Sequence, residues 1–125
     1  MTDSDKMEEY LERILSDNQT DDCPIQLTLE LLRGKWRAHI IYELFSRPSC
    51  RFNELMRAIP GITRSTLTTT LKDLERAGIL LREQFNEMPL RVEYSLTEKG
   101  RALIPVLYEL SKWGETYLMN EPQRG

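Results

Sequence analysis

Histidine and cysteine are nearly missing from this chain, which has one histidine, His39, and two cysteines, Cys23 and Cys50, among 125 residues. A histidine-based metal cluster is thereby excluded, and two distant cysteines do not make a zinc site. The same scarcity excludes a secreted disulfide scaffold; a reducing compartment would keep both thiols free. Also missing is any run approaching the roughly 18 apolar residues of a membrane span. The opening residues Thr2, Asp3, Ser4 and Asp5 are polar and acidic, unlike a secretory signal. A cytoplasmic protein without a membrane partner is expected. No nucleophile elbow, Gly-rich phosphate loop or histidine-centred triad occurs, so no catalytic residue, cofactor or metal is assigned and an enzyme is not expected.

What is present is 40% hydrophobic and 30% charged residues, enough for one globular domain with one modest core. The net charge of -3 has the wrong sign for binding phosphates, but its distribution is uneven. Residues 1–24 hold eight Asp and Glu against two Lys and Arg, whereas residues 33–101 hold thirteen Arg and Lys against eight Asp and Glu. An acidic arm joins a mildly basic body. That body suits a phosphate backbone, and a solvated surface explains the same charges; charge alone does not decide.

Met7, Tyr10, Leu11, Ile14 and Leu15 recur with helical spacing, predicting an amphipathic helix over 4–16 capped by Ser4 or Asp3. A polar loop over 16–22 follows, then a helix opened by Pro24 and ended near Gly34. A further helix is expected over 35–45, with Trp36, Ile40, Ile41 and Leu44 inward and His39 at the core margin. After the turn at Pro48, Arg51 and Phe52 read as a very short strand and Asn53 as the cap of a helix over 54–58. Pro60 and Gly61 force a tight turn, Thr63 caps the next helix, and Gly78 suits the left-handed position after its end. Strands are expected over 79–85 and 92–96, with a loop of Asn86, Glu87, Met88 and Pro89 between them. Thr97 and Glu98 open a last helix running to about Met119, kinked at Pro105.

The helix from Thr63 to Arg76 places Leu67, Leu71 and Leu74 in one sector, with Thr70 beside them. Ser65, Thr68, Thr69, Lys72 and Arg76 collect on the opposite side. An ordinary surface helix has this pattern, and so does one that reads a major groove. The order of elements bears on the choice, because a helix pair with a Gly-containing turn, followed at once by a hairpin bearing Arg82 and Arg91, is a winged-helix arrangement. On that reading Ser65, Thr68, Thr69 and Lys72 face base edges, while Arg64, Arg76 and Arg91 hold phosphates, Arg91 from the wing. An arginine covering a strand end is the plainer account of Arg91.

Several motifs, in order, resemble the HxlR-type transcriptional regulators, relatives of the MarR winged-helix group. They are Cys23-Pro24, Gly34-Lys35-Trp36, Arg51-Phe52-Asn53-Glu54-Leu55, Ile59-Pro60-Gly61-Ile62, Leu74-Glu75 with Gly78, and Val92-Glu93-Tyr94-Ser95-Leu96-Thr97 with Gly100. The resemblance spans about residues 23–117. It implies a small dimeric DNA-binding repressor or activator, in some members responsive to electrophiles, oxidants or aldehydes. The loop Asn86–Arg91 departs from the two prolines and lysine frequent in the family.

The fold class expected is α+β, mainly α: a winged helix-turn-helix with a β-hairpin wing and terminal dimerisation helices. Residues 1–22 form the dimerisation arm, 23–119 the winged domain with its C-terminal helix, and 120–125 a tail. The apolar arc of the last helix covers more than half its circumference, too wide for one core-facing stripe, and the first helix adds another unmatched face. A homodimer interface using Tyr10, Leu11, Ile14, Tyr108, Trp113 and Tyr117 accounts for both; packing of the last helix back onto its own domain is the alternative. Partners are then a double-stranded operator, a second copy and a small-molecule or electrophile inducer. Cys23 precedes a helix whose free N–H groups favour a thiolate, a setting for a redox sensor, with Cys50 as the other candidate thiol. Asp21 and Asp22 oppose that ionisation, so an inert structural Cys23 stays open, as does a winged helix used only for protein contacts.

Overall fold

The computed structural model describes residues 2–16 and 23–120, which fall in two compact units divided between Gly34 and Lys35. The expected loop and tail therefore lie, apart from Ser16 and Asn120, outside the described residues. No described helix is long and apolar enough to cross a membrane.

The first unit contains α1 (Asp3–Ser16) and α2 (Pro24–Leu31). Neither Ser4 nor Asp3 caps α1. Thr2 does, its hydroxyl accepting from the Asp5 N–H at 3.1 Å while the Asp5 carboxylate accepts from the Thr2 N–H at 3.2 Å. This reciprocal pair satisfies donors that the first helical turn leaves free. Cys23 occupies the N-cap of α2 with extended backbone, and Pro24 follows in the first turn, where its missing N–H costs nothing.

The second unit begins with α3 (Arg37–Phe45), α4 (Phe52–Ala58) and α5 (Arg64–Arg76). Ile40, Ile41 and Leu44 of α3 are buried, whereas Trp36 is half-buried at the N-cap position. The short strand expected at Arg51–Phe52 does not form. Extended pairing falls one residue earlier, where Cys50 and Tyr94 exchange two backbone bonds of 2.8 Å, and Phe52 opens α4. Asn53 is accordingly inside the helix. The N-cap is Arg51, whose N–H donates to the Glu54 carboxylate at 2.9 Å.

Pro60 and Gly61 turn the chain between α4 and α5. Gly61 has φ +89, and the Ile62 N–H returns to the Ile59 carbonyl at 3.4 Å, which is a Pro-Gly turn with glycine in the left-handed position. Beyond α5, β1 (Leu80–Phe85) pairs antiparallel with β2 (Arg91–Leu96), matching Leu80 with Leu96 and Phe85 with Arg91. The last helix is two pieces. It consists of α6 (Glu98–Arg101) and α7 (Ile104–Gly114), continued by a π-helical turn over Glu115–Met119. Pro105 lies in the first turn of α7, so the helix expected to run on through it is interrupted just before the proline, where the missing N–H breaks no helical bond.

The core joins Ile40, Ile41 and Leu44 to Leu55, Ile59, Leu67, Leu71, Leu74, Ile79, Leu80 and Leu96, all within 8% of full burial. Three helices and the base of a two-stranded hairpin thus form a winged helix-turn-helix. Two backbone locks close it. At the end of α5 the Gly78 N–H donates to Glu75 and the Ile79 N–H to Leu74, both at 2.9 Å, a Schellman arrangement made by Gly78 at φ +77. At the end of β2 the Thr97 hydroxyl lies 2.6 Å from the Gly78 carbonyl and accepts from the Gly100 N–H at 3.1 Å. Gly100 has no room for a side chain, since a Cβ there would collide with the Ile79 carbonyl oxygen. Gly100→Ala should therefore destabilise the fold by about 3 kcal/mol, the upper end for forced overpacking. A melting temperature equal to wild type would overturn this packing account.

Candidate nucleic-acid interface

Helix α5 is placed by its inner face. Thr63 caps it, accepting from the Thr66 N–H at 3.1 Å, and Leu67, Leu71 and Leu74 anchor it in the core. Thr70 shares that buried face at little cost, because its hydroxyl donates to the Thr66 carbonyl at 2.7 Å. Ser65, Thr68, Thr69, Lys72 and Arg76 are all exposed on the outer side. Among the described residues, Ser65, Thr69 and Lys72 have no hydrogen-bonding or ionic partner in the free protein. Thr68 donates to the Arg64 carbonyl at 2.8 Å, leaving its oxygen lone pairs to accept.

The arginines on this side are already engaged. Arg64 donates to the Asn53 side chain at 3.1 Å and lies 4.8 Å above the Phe52 ring, so Asn53 links the two helices of the motif instead of capping one. Asp73 accepts from Arg76 and from Arg37, each at 3.1 Å. The Arg76 side chain is 75% exposed, so its pair is weak and easily exchanged for another anion. Asp73 is not singled out by the sequence, and Asn53 reads there only as a helix cap. The i,i+3 spacing of Asp73 and Arg76 carries one signal, while the contacts from Arg37 and to Arg64 cross between helices and have none.

On the wing, Arg91 is held by Glu87 at 3.0 Å and Glu93 at 3.3 Å, and stacks 4.0 Å over Phe85. Arg82 is exposed on the neighbouring strand. Between α5 and the hairpin lies a cleft of about 330 Å³, lined by Thr68, Leu71, Lys72, Glu75, Arg82 and Tyr94.

Both cysteines are free thiols in contrasting places. Cys23 is half-buried at the α2 N-cap and makes no capping bond with its side chain. Cys50 is buried, and that burial pushes its thiol up from the ordinary 9.0, with Glu54 and Glu43 adding to the rise and Arg47 opposing it. The Arg47 guanidinium is 3.9 Å from the sulfur but also pairs with Glu54 at 3.4 Å. Among the described residues no group of three His, Cys, Asp or Glu could hold a metal. Of the candidate dimer residues, Ile14 is buried in the single chain, whereas Tyr10, Leu11, Tyr108, Trp113 and Tyr117 are exposed. Trp113 and Tyr117 stack with ring centroids 5.3 Å apart.

Comparison with known proteins matches residues 31–122 to the HxlR-like helix-turn-helix family. The uncharacterised HTH-type transcriptional regulator YdeP of Bacillus subtilis is 42% identical over 102 residues, 82% of this chain and 79% of its own. Among solved structures, the redox regulator HypR in its reduced form is 42% identical with a TM-score of 0.70, covering 74% of this chain and 91% of that one. The reduced form of the B. subtilis transcriptional regulator YodB is 35% identical with a TM-score of 0.71, over 80% of this chain and 98% of that one.

The raised thiol pKa gives Cys50 a definite sign. Folding favours its protonated form, so its contribution to stability is present below the ordinary thiol pKa and is lost as pH rises through the raised value. Iodoacetamide at mildly alkaline pH should label Cys50 more slowly in the folded protein than in urea, and Cys23 should label first. Equal rates for Cys50 in both states, read by peptide mass spectrometry, would contradict the burial that sets its pKa.

Proposed function

The chain belongs to the HxlR-like helix-turn-helix family, and from that premise we propose that it binds a palindromic duplex operator as a homodimer and responds to oxidants or electrophiles through Cys23. That it is a transcriptional regulator of the helix-turn-helix type follows from the family match and from relatives such as YdeP. The observation carrying the DNA reading is the outer face of α5. Three hydroxyls and one ammonium stand exposed there on a helix fixed from behind by three buried leucines. Ser65, Thr68, Thr69 and Lys72 meet base edges, and Arg64 and Arg76 exchange their present partners for phosphates at the two ends of the helix. The positive balance of residues 33–101 supports this despite the acidic whole.

A second copy is supported by the exposed apolar side chains of the last helix. Tyr108, Leu110, Trp113 and Tyr117 are each more than half exposed, and burial against a partner removes them from water. Residues 1–22 are the arm that joins this interface, 23–119 the winged domain and 120–125 its tail. Two recognition helices then sit about one duplex turn, 34 Å, apart. Selection from a random duplex pool should recover an inverted repeat with that spacing, and Thr68→Ala or Thr69→Ala should change the recovered half-site, each lost contact costing about 1–3 kcal/mol of discrimination. Recovery of a single unpaired site would overturn the dimer reading, and an unchanged half-site in both variants would overturn the base contacts.

The redox reading is supported by the neighbours HypR, a redox regulator solved in reduced and oxidised forms, and YodB, also solved after diamide treatment. In this chain the accessible thiol is Cys23, at a helix start, whereas Cys50 is buried. Diamide should change operator affinity of the wild type by about tenfold or more, a coupling free energy above 1.4 kcal/mol, and leave Cys23→Ser unchanged. An equal response in both proteins would remove Cys23 from the switch.

A further inference from the structure

The wing carries two arginines, and the pleat sends them to opposite faces. In the observed register Arg82 pairs with Tyr94, Glu83 with Glu93 and Phe85 with Arg91. Alternation along each strand therefore groups Glu83, Phe85, Arg91 and Glu93 on one face, and Leu80, Arg82, Tyr94 and Leu96 on the other. Leu80 and Leu96 are buried, so the second face is the one that turns toward the core and α5. Arg82 and Tyr94 line the cleft shared with Thr68, Lys72 and Glu75 of α5. Arg91 does not.

The charges differ in the same sense. Around Arg91 one guanidinium meets two carboxylates, Glu87 and Glu93, with Glu83 opposite Glu93 on the same face. A phosphate approaching there is repelled on balance, and to reach it Arg91 must leave two ion pairs and the Phe85 ring. Its Nε is already buried without a partner, a placement suited to bracing the loop, not to reaching outward. In the cleft, Lys72 and Arg82 face a single carboxylate, Glu75. Arg82 has no hydrogen-bonding or ionic partner among the described residues and breaks no existing pair in turning to an anion.

We propose that Arg82 is the phosphate contact of the wing, seating a DNA phosphate in the cleft between α5 and the hairpin beside Lys72 and Thr68. Arg91 is a strut that shapes the wing. This assignment rests on the duplex-binding reading given above and replaces the wing contact suggested by sequence. It places one backbone phosphate directly against the recognition helix, so the wing registers that helix on the duplex instead of adding a remote contact.

The test is fluorescence anisotropy of a labelled random-sequence duplex, titrated with full-length protein at several salt concentrations. Arg82→Gln, which keeps part of the aliphatic stem, should lower the slope of log K against log salt by about 0.9, the value for one phosphate. Arg82→Lys should restore it, which separates loss of charge from loss of fold. Arg91→Gln should keep the wild-type slope. The assignment is overturned if Arg82→Gln keeps the wild-type slope, or if Arg91→Gln alone flattens it. Wild-type protein that shows no salt-dependent duplex binding would instead remove the DNA-binding reading itself, and this assignment with it.

Discussion

The Thr97 hydroxyl ties the recognition helix to the wing. It reaches the Gly78 carbonyl just past α5 and at the same time receives the Gly100 N–H of α6, so three elements end or begin within one hydrogen-bonded knot. Around it the Thr97 N–H donates to Ile79 and the Lys99 ammonium to Ala77, at 3.0 and 2.7 Å. Carbonyls left over at the end of a helix need partners, and here the partners are Thr97, just past β2, and Lys99 of α6. The angle between α5 and the wing is consequently set by short bonds to backbone carbonyls, chiefly from the Thr97 hydroxyl and N–H, with the Lys99 ammonium adding one at the surface.

That rigidity matters for a surface that must fit a duplex. A helix can face a major groove with useful precision only if its inner side is over-determined, and Leu67, Leu71 and Leu74 do this while the Schellman end and the Thr63 cap fix its length. Its outer side remains adaptable. Hydroxyls both accept and donate, so the exposed Ser65, Thr68 and Thr69 are able to suit several hydrogen-bonding patterns.

Carboxylates decide which cations are available. Asp73 occupies Arg76 and Arg37, Glu54 occupies Arg47, and Glu87 with Glu93 occupies Arg91. On a chain of net charge -3, counting arginines overstates the phosphate-binding surface. Among the described residues Lys72 and Arg82 have no ion pair, and the cleft beside α5 brings these two cations together with one carboxylate, Glu75. The two cysteines separate by the same logic of environment: Cys50 is held protonated by burial, and Cys23 stands at an accessible helix start.

Much of this protein follows from local pattern. The leucine spacing of α5, the Thr63 cap, the Pro60-Gly61 turn and the Gly78 stop are short-range effects within one helical turn, and each is legible in sequence. So is the order of helices and hairpin, which identifies a winged helix. Tertiary structure decided the rest, because it depends on atoms distant in the chain. Phe52 reads as strand by propensity yet opens α4, since the pairing with Tyr94 is taken by Cys50. Asn53 resembles a cap yet holds Arg64, and Pro105 lies in the first turn of a separate helix, α7, with α6 ending before it. The wing arginines are the sharpest case. Sequence places both on the hairpin, but only the register and the neighbouring carboxylates determine that Arg91 is enclosed and Arg82 faces the cleft beside α5.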